Sequence, residues 1–156
     1  SQLVDAARLR SRTLQLAPEP TDLLESADRL RDELARWGQF DLVVAGEHVV
    51  AGVDPARLRS ILMAMVEGAH WWGEEGPMLV EVRAGPPPTV TVSRQGTELD
   101  GRGAEGLFHP RPPGSGGGSK VGLFVARGLA AAHGGTLQAE VGDAIGFRLT
   151  LPQSAS

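Results

Sequence analysis

A glycine-rich segment that runs directly into an apolar helical pattern is the part of the chain best suited to chemistry. The segment Gly118-Ser119-Lys120-Val121-Gly122-Leu123 leads into a helix that stops at two glycines after His133. Glycines let the backbone approach an anion closely, and the free N–H groups of a helix N-terminus point towards it. The segment therefore predicts a phosphate-binding loop, whereas a glycine and serine run taken alone is more typical of a flexible surface loop. It is not a Walker A loop, because Ser119 stands where that motif needs a glycine before the lysine.

Other residue types exclude several kinds of site. The chain has no cysteine, which excludes disulfides, thiolate nucleophiles and cysteine-based metal sites. His48, His70 and His109 lack the spacing of metal ligands, so no metal site is predicted. His133 is expected to pair with the C-terminus of the helix that precedes it rather than to do chemistry.

The composition indicates one domain, or one domain with an appendage. The 156 residues are 41% hydrophobic and 22% charged, with a net charge of −4. This is enough apolar surface for a core, and the negative charge makes nucleic acid and anionic membranes unsuitable partners. No stretch is long and apolar enough to span a bilayer, and the start lacks a signal-peptide pattern, so a cytoplasmic location is expected.

Hydrophobic spacing predicts four helices around the glycine-rich segment. Residues 2–16 form an amphipathic pattern, which is too short to be stable without a partner surface. Thr21 or Asp22 is expected to cap a second helix that ends near Trp37. A third helix begins at Asp54-Pro55, an N-cap followed by proline at the first helical position, and runs to about residue 72. The fourth follows Lys120.

Alternating apolar residues predict the strands between these helices. Phe40–Val44 and His48–Ala51 are expected to pair as a hairpin around Ala45-Gly46. A proline turn at residues 86–88 separates two further strands, and a long loop follows them. A closing hairpin is expected at Thr136–Val141 and Gly146–Leu151. Hairpins that alternate with helices predict one mixed sheet with helices on one face.

From about Leu14 onward, the chain resembles the ATP-binding (catalytic) domain of sensor histidine kinases, of the ATPase superfamily that includes gyrase, Hsp90 and MutL. The resemblance rests on segments in the family's order. They are Arg12–Leu23, Val53–Leu62, Leu107-Phe108, Gly118–Leu123, Ala132–Gly135 and Phe147–Pro152. The resemblance implies a two-layer α/β (α+β) sandwich, in which helices cover one face of a mixed, mostly antiparallel sheet.

The first nucleotide box of that family falls on residues 64–69 and departs from the pattern. The resemblance implies that Glu67 is the catalytic residue, which acts as a base or polarises the attacking group. It places the family's metal-ligating asparagine at position 68, where this chain has Gly68, a residue with no side chain to hold Mg²⁺. Trp71 and Trp72 stand where family members often carry residues that touch phosphate and ribose. A tryptophan pair is more typical of a core or an interface than of a base-stacking platform.

The second and last boxes also depart from the family. Arg94 stands where the family has an aspartate that accepts a hydrogen bond from adenine, and arginine carries only donors. Taken alone, Arg94 is expected to be a surface or salt-bridged residue. Gly96 is retained, but Glu98 replaces the second glycine of that box. In the last box a lysine replaces the central glycine, and the implied nucleotide-binding positions are Gly118, Ser119, Lys120, Gly122 and Leu123.

The resemblance implies the ATP-binding module of a two-component sensor kinase, with ATP and Mg²⁺ as its expected cofactors. The degenerate boxes predict that nucleotide binding is weak or lost and that the chain acts through partner surfaces. The alternative is a divergent but active kinase domain that phosphorylates a histidine in trans. A serine-directed kinase of the anti-sigma-factor type is a third reading.

The resemblance also implies an organisation and a set of partners. Residues 1–17 would be the tail of a dimerisation helix with its linker, 18–152 the ATPase domain, and 153–156 a C-terminal tail. None of the four histidines fits the phosphoacceptor pattern, so that histidine is expected upstream or on another chain. The expected partners are this dimerisation domain, a second copy of the chain and, indirectly, a response regulator, with no nucleic acid and no direct membrane contact. The implied location is cytoplasmic, or the cytosolic part of a membrane-anchored sensor.

Overall fold

A computed structural model describes residues 15–38, 40–73, 76–95, 122–142 and 144–152. Within these ranges the chain forms three helices and seven strands. The helices are α1 (Leu23–Arg36), α2 (Pro55–Trp72) and α3 (Gly122–Ala132). The strands are β1 (Glu19–Asp22), β2 (Leu42–Gly46), β3 (Val50–Val53), β4 (Met78–Arg83), β5 (Thr89–Gln95), β6 (Thr136–Val141) and β7 (Ala144–Thr150).

Five strands form the main sheet in the order β2-β4-β5-β7-β6. Only the β2–β4 pair is parallel, and the other three pairs are antiparallel. Apolar residues on alternate positions of the sheet point to the helices and are fully buried, as at Val90, Val92 and Phe147. The predicted mixed, mostly antiparallel sheet with helices on one face is confirmed.

The predicted hairpin between residues 40–44 and 48–51 is wrong. β3 instead pairs antiparallel with β1, and β2 pairs with β4. The chain turns away at Gly46, whose backbone has a φ of +125° and lies so close to the Val82 carbonyl that a Cβ would collide with it. β1 was not expected from the sequence, because it contains Pro20. Proline has no backbone N–H to donate and is therefore found in strands mainly at the edge of a sheet.

The predicted starts of α1 and α2 are confirmed. Asp22 caps α1 through its side chain, which accepts a hydrogen bond from the backbone N–H of Glu25. Asp54 caps α2 by accepting from the backbone N–H groups of Ala56 and Arg57, and Pro55 opens that helix. Side-chain oxygens at an N-cap satisfy N–H groups that have no partner within the helix.

Two predicted segments fall outside the described residues. These are the amphipathic helix over residues 2–16, of which only its last two residues are described, and the long loop before α3. Four of the expected nucleotide-binding positions share that region: Gly96, Gly118, Ser119 and Lys120.

Candidate functional site

The candidate site is a groove between α2 and α3. Its walls are Arg59, Ser60, Met63 and Glu67 on α2, with Gly122, Val125, Ala126 and Leu129 on α3. The described residues enclose about 140 Å³, which is less than the roughly 300–1,000 Å³ of typical small-molecule pockets. A larger groove of about 450 Å³ lies between β1, α1 and the start of α2, away from the nucleotide boxes.

Glu67 is the acidic residue of this groove. Its side chain is half-buried on α2, and burial raises the pKa of its carboxyl above the ordinary value. No described residue offsets this burial with a hydrogen bond or a positive charge. A carboxylate whose pKa is raised in a cleft has the character of a general base.

Gly68, the position at which the resemblance places a metal ligand, is buried against two apolar side chains. A Cβ at Gly68 would lie 2.9 Å from Leu123 Cδ1 and 2.9 Å from Phe147 Cε2. Phe147 is fully buried, so its ring has little freedom to move aside. Position 68 thus offers neither a ligand nor room for one. Among the described residues, no group of three or more His, Cys, Asp or Glu is arranged to hold a metal ion.

Arg94 lies near the end of β5, on the same face as the buried Val90 and Val92. Its guanidinium reaches the C-terminal end of α2, where Nη1 donates to the carbonyl of His70 at 2.9 Å. Nε donates to the carbonyl of Gly76 at 3.1 Å. A helix leaves its last carbonyls without partners and places a partial negative charge there, so a cation in this position is favourable. Arg94 therefore binds backbone carbonyls, in the place where the resemblance expects an adenine-binding aspartate.

The adjacent tryptophans lie in the last turn of α2, and both are half-buried. Trp72 packs against the hydrophobic core. Next to them, the rings of Phe40 and His70 lie 4.8 Å apart between centroids, in a tilted arrangement. Core packing is thus the observed environment of Trp72, as expected for a tryptophan pair.

The opposite end of α2 is held by a histidine. His133 Nδ1 lies 2.8 Å from the carbonyl of Leu129, which confirms its predicted pairing with the C-terminus of α3. Its Nε2 accepts a hydrogen bond from the backbone N–H of Asp54 at 3.1 Å. This second contact was not expected, because the two residues are 79 positions apart in the sequence. The sequence signals nearest to this contact are Asp54-Pro55, which marks the start of α2, and His133-Gly134, which marks the end of α3.

Gly122 and Leu123, the two remaining positions that the resemblance assigns to nucleotide binding, lie in the first turn of α3. Both are buried. Gly122 lines the groove beside Glu67, and Leu123 fills the space opposite Gly68. The structure therefore brings Glu67, Gly68, Gly122 and Leu123 together, and holds Arg94 at the C-terminal end of α2, against the carbonyl of His70. The residue that sequence reasoning did not place in this site is Phe147, whose ring packs beside Gly68.

Comparison with known proteins identifies the fold. The histidine kinase AdeS of Acinetobacter baumannii superposes with a TM-score of 0.81 and 15% identity, over 99% of this chain and 76% of that chain. The ATP-binding domain of PrrB from Mycobacterium tuberculosis gives a TM-score of 0.72 and 19% identity, over 88% of this chain and 98% of that chain. The chain has the fold of a histidine-kinase ATP-binding domain.

Sequence comparison agrees with this histidine-kinase fold. The virulence sensor protein BvgS of Bordetella parapertussis is 29% identical over 153 residues. That match covers 86% of this chain and 12% of BvgS. No family model matches the chain. None of the described helices has the length and apolar character needed to cross a membrane.

Proposed function

We propose that the chain is the ATP-binding-type domain of a two-component sensor histidine kinase in which nucleotide binding is weak or lost. In this role it acts through its partner surfaces. The observation that carries the proposal is the packing around Gly68, where Leu123 and Phe147 fill the space that a metal-ligating side chain would need. Arg94 supports it, since its guanidinium binds the carbonyls of His70 and Gly76 and carries no acceptor for adenine.

The size of the expected loss follows from the two missing partners. Leaving one polar partner unpaired costs about 1–3 kcal/mol, and two such losses weaken affinity by roughly 10²-fold or more. The domain's partners in this proposal are a histidine-bearing dimerisation domain, upstream or on another chain, and a response regulator that receives the signal indirectly. A second copy of the chain is a further partner through residues 1–17.

Isothermal titration calorimetry with ATP, in the presence of Mg²⁺ and again in excess EDTA, tests this proposal. The expected affinity is weak and the same in both buffers, because position 68 supplies no metal ligand. A dissociation constant in the low micromolar range would overturn the proposal. A clear gain in affinity on adding Mg²⁺ would also contradict it.

One observation favours a second function, that of an active kinase domain which phosphorylates a histidine in trans. Glu67 is half-buried beside Gly122, and burial raises the pKa of its carboxyl, as a general base requires. Incubation with labelled ATP and a separate histidine-bearing dimerisation domain distinguishes the two functions. Phosphate on that histidine, lost in Glu67→Gln, would establish the kinase, whereas acid-stable phosphate on serine would indicate the anti-sigma-factor type. Absence of label with both the parent chain and Glu67→Gln agrees with the first proposal.

A further inference from the structure

Residues 15–18, which lead into β1, are the entry segment of the domain. Three hydrogen bonds run in series from this entry segment to the end of α3. The backbone N–H of Ala17 donates to Asp54 Oδ2 at 3.0 Å. The backbone N–H of Asp54 donates to His133 Nε2 at 3.1 Å. His133 Nδ1 lies 2.8 Å from the carbonyl of Leu129. The series joins three parts of the chain that are far apart in sequence.

The partners on each side fix the state of the His133 ring. A backbone N–H points at Nε2, so that nitrogen must offer its lone pair. The Leu129 carbonyl can only accept, so Nδ1 must carry the proton. A neutral imidazole with this tautomer is the one form that makes both bonds, because a protonated ring has two donors and no acceptor.

The two bonds of His133 do not have the same importance. The Leu129 carbonyl has a second partner, the backbone N–H of His133 itself at 3.2 Å. Among the described residues, His133 Nε2 is the acceptor for the Asp54 N–H. The Nε2 bond is also the one that crosses from α3 to α2, and it lies at the opposite end of α3 from Gly122 and Leu123.

Asp54 belongs to both the helix cap and the entry segment. Burial alone would raise the pKa of its carboxyl, but hydrogen bonds from the N–H groups of Ala17, Arg57 and Ala56 outweigh it and hold the pKa below the ordinary value. One oxygen caps α2 and the other binds Ala17. A displacement of the entry segment therefore acts on the same residue that His133 holds.

We propose that His133 is a positioning residue that fixes the spacing of α2 and α3 and couples the groove between them to the entry segment at Ala17. The regulatory meaning of this coupling rests on the proposed function, since the groove is the candidate nucleotide site. The coupling itself is a property of the hydrogen bonds and does not require nucleotide. A coupling of this kind has to be measured, because proximity along a path does not demonstrate it.

Two substitutions separate the two bonds of the ring. In His133→Gln, the side-chain carbonyl reaches the position of Nε2 and can still accept from Asp54, while the bond to Leu129 is lost. In His133→Asn, the shorter amide can donate to Leu129 from the position of Nδ1, and the Asp54 N–H loses its acceptor. Both variants replace the imidazole ring with an open-chain amide and differ from each other by one methylene, so each is the matched control for the other.

Amide hydrogen exchange followed by NMR is the measurement, with the amides of Ala17, Asp54 and Ala126 as reporters and Leu62 in the middle of α2 as the reference. In His133→Asn, we expect exchange to accelerate about tenfold at all three reporters, which is the effect of one lost hydrogen bond. We expect His133→Gln to remain close to the parent. If both variants exchange alike, or if only Asp54 accelerates in His133→Asn, the coupling is wrong.

The hydrogen-exchange result for the His133 variants does not depend on whether the chain binds nucleotide. If exchange changes as expected and calorimetry finds tight Mg²⁺-dependent ATP binding, the proposed function fails and the coupling stands. If ATP binds weakly and exchange at Ala17 and Ala126 does not change, the proposed function stands and the coupling fails. A His133→Asn chain that does not fold, while His133→Gln folds like the parent, assigns the Nε2 bond a larger role than proposed and supports it.

Discussion

The two ends of α2 are held in different ways. At the N-terminal end, Asp54 caps the helix with its own side chain and Pro55 opens it. At the C-terminal end, the guanidinium of Arg94, which lies 24 positions from His70 in the sequence, binds a helix carbonyl. The cap at the first end is built from adjacent residues, whereas the contact at the second end depends on the way the sheet brings β5 under the helix.

This difference teaches where the chain departs from the family that it resembles. The N-terminal end keeps the residues of the resemblance, and its contacts reach the entry segment at Ala17 and the end of α3 at His133. The C-terminal end has Arg94 in the place of the expected aspartate, and this arginine binds the carbonyls of His70 and Gly76.

Filling the space between the two ends gives the largest expected effect. Gly68→Asn places a polar side chain against Leu123 and the fully buried ring of Phe147. Overpacking and an unpaired buried amide together cost about 3 kcal/mol of unfolding free energy. Urea denaturation followed by circular dichroism measures this loss. Gly68→Ala is the control, because its gain in helix propensity of about 1 kcal/mol offsets most of a single-atom collision. A Gly68→Asn chain as stable as the parent would show that the groove can open to admit a metal ligand.

Breaking the C-terminal end comes next. Arg94→Asp removes two hydrogen bonds to carbonyl oxygens and places a negative charge at the negative end of the helix dipole. We expect a loss of about 2 kcal/mol, since both bonds are exposed to solvent. Arg94→Lys keeps the charge but cannot reach both carbonyls in the same geometry, so it should lose about half as much. Equal stability of all three chains in urea would contradict a structural role for Arg94.

Breaking the N-terminal end should cost about 1 kcal/mol, the usual effect of replacing an N-cap residue by alanine. In Asp54→Ala, the amides of Ala56, Arg57 and Ala17 lose their acceptor. The folded pKa of Asp54 lies below its ordinary value, so its contribution is present above the unfolded pKa of about 3.9 and is lost as the pH falls through the folded value. Thermal melting at pH 7 and at pH 3 therefore should show a difference between parent and variant that narrows in acid. Asp54→Asn, which keeps a capping oxygen, is the control, and a constant difference across this range would contradict the role of the charge.

Local signals in the sequence predicted more of the fold than of the site. Asp54-Pro55 marked the start of α2, and apolar periodicity placed α1 and the strands β4 to β7. The pairing of β3 with β1 could not be read from residues near the turn, because the close approach of Gly46 to the Val82 carbonyl joins positions far apart in the chain. The site depended on the same kind of contact. The carbonyls bound by Arg94 and the ring of Phe147 beside Gly68 are consequences of tertiary packing, which no local pattern records.

The smallest effect concerns Glu67, which lies between the two ends and belongs to neither. Burial raises the pKa of its carboxyl in the folded state, so the ionised form destabilises the fold above the unfolded pKa of about 4.3. Glu67→Gln should therefore melt slightly higher than the parent at pH 7. The advantage should disappear as the pH falls through the folded pKa towards the unfolded value, where both side chains are neutral. Met63→Gln, a change on the same groove wall that does not titrate, is the control for pH effects elsewhere. A variant that melts lower than the parent at pH 7 would mean that the carboxylate has a partner and that Glu67 stabilises α2.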